Sequence, residues 1–175
     1  MVSKQKRFDM LVNALYADVY RYAFWLCKNQ SMAEDLVQET YLRAWKSFEN
    51  LQDEKVAKAW LFTIVRRENA RKYEKIQPDV VNIDDVDLTA KGLSPVDHGE
   101  FSVIQKHILS LALKFREPLV LQLVGGFSAQ EISDILQINK NTVLTRLFRA
   151  RNQLKKSLTD KPESMNNKTG GLSDG

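Results

Sequence analysis

Residues 127–158 read FSAQEISDILQINKNTVLTRLFRARNQLKKSL. The first part has the form of a short capped helix. Ser128 stands three residues before Glu131, the spacing of a capping box, and Ile132, Ile135 and Leu136 follow on one face. The second part is a longer helix with Val143, Leu147, Ala150 and Leu154 on its buried stripe. At 100° per residue, Thr142, Thr145, Arg149, Asn152 and Lys156 point the other way, with Arg146 on the flank. No acidic residue lies between Asp134 and Asp160, whereas Lys140, Arg146, Arg149, Arg151, Lys155 and Lys156 all do. Two helices joined by a tight turn, the second one basic, make the pattern of a helix-turn-helix. Hydroxyls, amides and guanidinium groups on one face can hold phosphates and read base edges. Asn139, Lys140 and Asn141 fall at the helix start, the end that enters a major groove. The rival reading is a solvated basic surface helix.

Working outward, the 175 residues divide by composition into an all-α chain of two small helical domains. Residues 6–75 are apolar-periodic and hold no glycine or proline. Residues 76–99, IQPDVVNIDDVDLTAKGLSPVDHG, are acidic and carry two prolines and two glycines, as a flexible linker does. Helical periodicity returns over 100–158, and the polar tail 159–175 reads as disordered. The first domain is expected to hold a helix over 8–28, a second capped by Ser31 with Glu34 completing a capping box, and a third over 56–75. In the second domain a helix over 101–113 should precede one that has Pro118 near its first turn and ends at Gly125-Gly126.

The formal charge is +4 and the pI about 9.1, so the location of charge matters more than its sum. The second helix of the first domain has an acidic face, with Asp35, Glu39, Leu42 and Lys46 together and Gln38 beside them. The third is basic in its second half, with Arg66, Arg67, Arg71, Lys72 and Lys75. One acidic and one basic helix suggest a protein partner and a nucleic-acid partner; a plain internal balance of charge is the alternative. Trp60 and Phe62 before the arginines could stack unpaired bases or simply belong to the core. Cys27 is the only cysteine, which excludes an intrachain disulfide, and its apolar surroundings suggest a buried, inert thiol. Nothing in the sequence resembles a phosphate loop, a nucleophile elbow or a zinc-ligand spacing, so no enzyme activity, metal or cofactor is expected. No signal peptide or membrane-inserting run is visible, and a cytoplasmic protein is expected.

Three segments together, SMAEDLVQETYLRAWKSFE (31–49), KAWLFTIVRRENARKYEK (58–75) and residues 127–158, resemble the extracytoplasmic-function sigma factors of bacterial RNA polymerase. The resemblance covers most of residues 8–158, in order and spacing. It implies that Asp35, Gln38 and Glu39 dock on the clamp coiled-coil of the largest polymerase subunit; Leu42, on the same face, joins them. It implies that the loop 49–55 holds a flipped base of the −10 element. Around that loop, Asn50, Lys58, Trp60, Arg66, Arg67, Arg71 and Lys72 would meet −10 DNA. Lys140, Asn141, Thr142, Thr145, Arg146 and Arg149 would read the −35 element. The polymerase flap and an anti-sigma factor are further implied partners. Family members often have glycine where Gln137 and Asn141 stand, arginine where Leu144 stands and asparagine where Arg67 stands. Taken without the resemblance, a stand-alone helix-turn-helix regulator and a helical interaction protein without nucleic acid are the competing readings.

Overall fold

Apolar residues at helical spacing pack α1 (Lys4–Cys27), α2 (Gln30–Ser47) and α3 (Ala57–Ile76) against one another in the computed structural model. The structure describes residues 1–76 and 103–160, so the linker expected over 76–99 and the tail after Asp160 lie outside the described residues apart from Ile76. Val19, Tyr22, Ala23 and Leu26 of α1, Leu36, Val37 and Ala44 of α2, and Leu61, Phe62 and Val65 of α3 form the core of this bundle. At its base Phe8 meets Trp45 and Phe48 edge-on, with ring centroids 5.1 and 5.2 Å away. Two short 3-10 turns, Phe48–Asn50 and Glu54–Val56, connect α2 to α3.

The second domain comprises α4 (Val103–Ser110), α5 (Leu113–Leu123), α6 (Ala129–Leu136) and α7 (Lys140–Thr159). Among the described residues every regular element is helical, as expected. Helices α5, α6 and α4 each pack on α7, and Val143, Leu147 and Ala150 fill the seam. Leu154, placed in the buried stripe by its spacing, is only half-buried near the end of α7.

Four local expectations need correction. Helix α2 is capped by Asn29, not Ser31: the Asn29 side chain accepts from the Met32 N–H at 3.0 Å. Asn and Ser cap about equally well, and starting two residues earlier adds hydrogen bonds to the helix. Glu34 accepts instead from the Gln30 side chain, one turn back. Pro118 lies inside α5 rather than at its first turn. The helix begins at Leu113, because the chain breaks at Leu111 and Ala112 and the expected helix over 101–113 stops early at Ser110. The first helix also starts earlier than 8, at Lys4, where the Ser3 hydroxyl accepts from the Lys6 N–H.

The two bundles touch. Helix α1 meets α5, and α3 meets α6. Phe62 stacks on Tyr22 with centroids 4.7 Å apart and takes Phe127 edge-on at 5.2 Å. Burying an aromatic side chain of this size contributes on the order of 2 kcal/mol, and each ring pair adds about 1 kcal/mol. Gly125 makes the placement of Phe127 possible. A Cβ there would lie 2.4 Å from the Phe127 ring and 2.6 Å from the Leu121 carbonyl oxygen. Gly126 takes the left-handed conformation, φ 69°, that turns the chain out of α5, as its position after the helix suggests.

Candidate nucleic-acid and polymerase interfaces

Helix α7 is aimed by the turn before it. Ser128 and Glu131 form the expected capping box, at 3.2 and 2.7 Å, and the Ser128 backbone N–H, then its hydroxyl, hold the Glu131 carboxyl below its usual range. Gln137 ends α6 with φ 55°, in the left-handed region where glycine is the easier residue. Its side-chain amide donates to the Asp134 carbonyl at 2.6 Å, and the Ser133 hydroxyl donates to the Ile138 carbonyl at 2.7 Å. These bonds hold the turn without glycine. Asn139 then caps α7 by accepting from the Asn141 N–H at 2.7 Å, which commits its side chain to the fold. With Val143 and Leu147 inward, Lys140, Asn141, Thr145 and Arg149 are exposed, while Thr142 and Arg146 are half-buried on the flanks. Leu144 is exposed beside them. Lys140, Arg149, Lys155 and Lys156 make no ion pair among the described residues.

Helix α2 presents Asp35, Gln38 and Leu42 to solvent, with Glu39 half-buried. Leu42 is 58% exposed, an apolar side chain set among carboxylates and amides. That mixture suits a protein surface better than a polyanion. A cleft of about 370 Å³ runs between α2 and α3, lined by Asp35, Gln38, Glu39 and Leu42 on one side and Arg71 and Lys72 on the other. Buried Glu68 sits within it, bound by Arg71 at 2.8 Å and Arg43 at 3.5 Å.

The candidate −10 residues do not form one patch. Helical spacing puts Trp60, Ile64, Arg67 and Arg71 on one face of α3 and Lys58, Phe62, Arg66 and Tyr73 on the other. On the first face Arg67 and Arg71 are exposed and Trp60 is half-buried against the core. Lys72 is half-buried in the cleft, and Asn50 is exposed on the first 3-10 turn. The second face is covered by the C-terminal domain. Arg66 Nε donates to Glu117 Oε1 at 3.0 Å, and the Tyr22 hydroxyl donates to the same oxygen at 2.9 Å. Lys58 pairs with Asp18 at 3.1 Å and lies over the Phe62 and Phe127 rings. Lys58 and Arg66 are therefore each paired with a carboxylate in this structure.

Glu117 and its neighbours were missed in the sequence, where Arg116-Glu117-Pro118 reads as the approach to a helix. The available signal was a charged pair set directly before the apolar run of residues 119–121. Glu117 is 6% exposed and Arg116 2%. Arg116 Nη1 donates to the Leu109 and Leu111 carbonyls at 3.0 and 3.2 Å, bracing the break between α4 and α5. Burial pulls the Arg116 guanidinium down to about 10. Burial, then the Glu117 carboxylate, holds the Tyr22 phenol well above its usual range, so it remains a donor. Cys27 is buried as expected, and burial pushes its thiol up to about 11. No helix among the described residues is long and apolar enough to cross a membrane.

Comparison with known proteins identifies both domains. Residues 11–77 match Sigma-70 region 2, and residues 103–154 match Sigma-70, region 4. RNA polymerase sigma factor SigV of Bacillus subtilis (strain 168) is 30% identical over 165 residues, which cover 91% of this chain and 97% of the relative. ECF RNA polymerase sigma factor SigM of the same organism is 32% identical over 151 residues, covering 84% and 92%. Among solved structures, the sigma factor RpoE of Bartonella quintana, in complex with the anti-sigma factor NepR, superposes with a TM-score of 0.72 and 29% identity, covering 89% of this chain and 99% of that one. CnrH, in complex with the cytosolic domain of CnrY, shares the fold at a TM-score of 0.64 and 21% identity, covering 91% and 92%. The two helical bundles, the order of their motifs and these full-length similarities place the chain in the extracytoplasmic-function family of RNA polymerase sigma factors.

Proposed function

We propose a division of labour among three surfaces of this sigma factor. The α2 face of Asp35, Gln38, Glu39 and Leu42 docks on the clamp coiled-coil of the core polymerase. Asn50 and the loop around it, with Trp60, Arg67, Arg71 and Lys72 and, once uncovered, Lys58 and Arg66, bind the opened −10 element. Helix α7 reads the −35 element in duplex form through Lys140, Asn141, Thr142, Thr145, Arg146 and Arg149. The domains extend over 6–75 and 100–158, with 76–99 as a linker through the polymerase channels and 159–175 as a tail. The protein works in the cytoplasm and is held in reserve by an anti-sigma factor, a reading supported by the sigma factor RpoE solved in complex with the anti-sigma factor NepR.

The observation that carries this reading is the exposed row Lys140, Asn141, Thr145 and Arg149 on a helix aimed by a capped partner. The Asn141 amide at its start and the Arg149 guanidinium midway along it can pair with adenine and guanine edges, while lysines neutralise phosphates. The test is reconstitution with core polymerase. Wild-type protein should give promoter-dependent transcripts with discrete starts. Asp35→Ala with Glu39→Ala should lose core binding, and Arg146→Ala with Arg149→Ala should keep core binding but lose the −35 contact. Unchanged core affinity in the first variant would refute the α2 assignment.

A further inference from the structure

The contact between the domains is built around a single carboxylate. Glu117 of α5 is buried, and one of its oxygens takes hydrogen bonds from Arg66 of α3 and Tyr22 of α1. The carboxylate thus occupies Arg66, a residue assigned above to −10 DNA, with the charge type that a phosphate would supply. Beside it Phe127 seals Phe62, and Asp18 holds Lys58. One face of α3 is thereby closed, while on the opposite face Arg67 and Arg71 are exposed and Trp60 is half-buried.

This closed form cannot grip both promoter elements. The −10 and −35 elements are about 25 base pairs apart, or roughly 85 Å at 3.4 Å per pair. A domain of this size has a radius of gyration of about 11 Å, so two in contact span on the order of 50 Å. The 26 residues between Ile76 and Val103 allow a reach of at most about 90 Å. The chain is long enough for the domains to part, and parting exposes Arg66 and Lys58.

We propose that Glu117 is the latch of a closed resting form, holding the Lys58–Arg66 face of α3 against the C-terminal domain until both promoter elements are engaged. The proposal rests on the reading of α3 as the −10 helix. Removing the carboxylate leaves half-buried Arg66 at the domain contact without its counter-charge, so the latch opens; removing only the Tyr22 hydroxyl weakens it less. The apparent affinity of α3 for a strand then rises by the inverse of the open fraction.

The experiment uses the full chain with dyes on cysteines introduced at the exposed positions Ala17 of α1 and Gln130 of α6, since native Cys27 is buried and unreactive. Energy transfer reports closure, and anisotropy reports binding of a 12-nucleotide A/T-rich single strand. Glu117→Gln should lower the transfer and tighten strand binding by about tenfold. Tyr22→Phe should shift both in the same direction by a smaller amount and guards against misfolding of the first variant. Transfer unchanged in both variants overturns the latch. Lower transfer without tighter binding also overturns it, provided that Arg71→Ala in the Glu117→Gln background still weakens binding. If Arg71→Ala has no effect on strand binding in that open background, the assignment of α3 to −10 DNA is what fails.

Discussion

Helices α3 and α7 are both twenty residues long and both basic, yet they hold their charge in opposite ways. On α3, Lys58, Arg66 and Arg71 each face a carboxylate: Asp18, Glu117 and Glu68. On α7 the acid-free stretch between Asp134 and Asp160 leaves Lys140, Arg149, Lys155 and Lys156 without ion pairs among the described residues. The difference fits two kinds of target. A helix that reads intact duplex can keep its charge in solvent. A helix that meets DNA only after the strands part can have its charge matched internally until then. The sequence already shows Glu68 and Glu74 within α3 and no acid within α7; packing adds Asp18 and Glu117 as the partners of Lys58 and Arg66.

The sharpest way to break this comparison is to strip α7. Arg146→Ala with Arg149→Ala should weaken −35 duplex binding by the holoenzyme by about 3 kcal/mol and lower the salt slope by about 2. A binding titration across salt concentrations checks this. The joint between the helices offers the next test. Gly125→Ala drives a methyl into the Phe127 ring and should destabilise the C-terminal domain by about 2 kcal/mol, seen as a lower melting midpoint. Ser128→Ala removes the cap that aims α7 and should cost about 1 kcal/mol. Smallest is Arg71→Ala, below about 1 kcal/mol in stability, because Arg71 is half-exposed and Arg43 still faces Glu68.

A titration separates buried chemistry from surface charge. The Cys27 thiol has its pKa raised by burial from about 9 to about 11. The unfolded chain ionises this thiol first, so the stability from its burial is complete below about pH 9 and is lost as pH rises toward 11. Iodoacetamide at pH 8 should label Cys27 only in denaturant. Rapid labelling of native protein would contradict its burial.

Local chemistry carried most of the fold into the sequence. The Ser128–Glu131 capping box, the glycine turn at Gly126 and the apolar periodicity of α1, α2 and α7 each act within a turn or two, so they are legible from spacing. The α2 acidic face and the α7 polar face follow from the same periodicity. What was not legible depends on contacts far apart in sequence. Glu117 is 51 residues from Arg66 and 95 from Tyr22. No periodicity within α3 distinguishes an arginine that faces solvent from one that faces another domain. Asn29 and Ser31 are both good capping residues two positions apart, and the earlier one adds hydrogen bonds to α2 that spacing alone does not reveal.

The most direct test of the whole account is footprinting of open promoter complexes formed with core polymerase. Permanganate reports unpaired −10 bases, and protection from nuclease reports the −35 contact. With Arg149→Ala the −35 protection should fade while the −10 bases, once the complex forms, stay reactive. With Trp60→Ala and Arg71→Ala together, −10 reactivity should fall while −35 protection persists. The reverse pattern, or loss of both signals in both variants, would contradict the assignment of duplex reading to α7 and strand capture to α3.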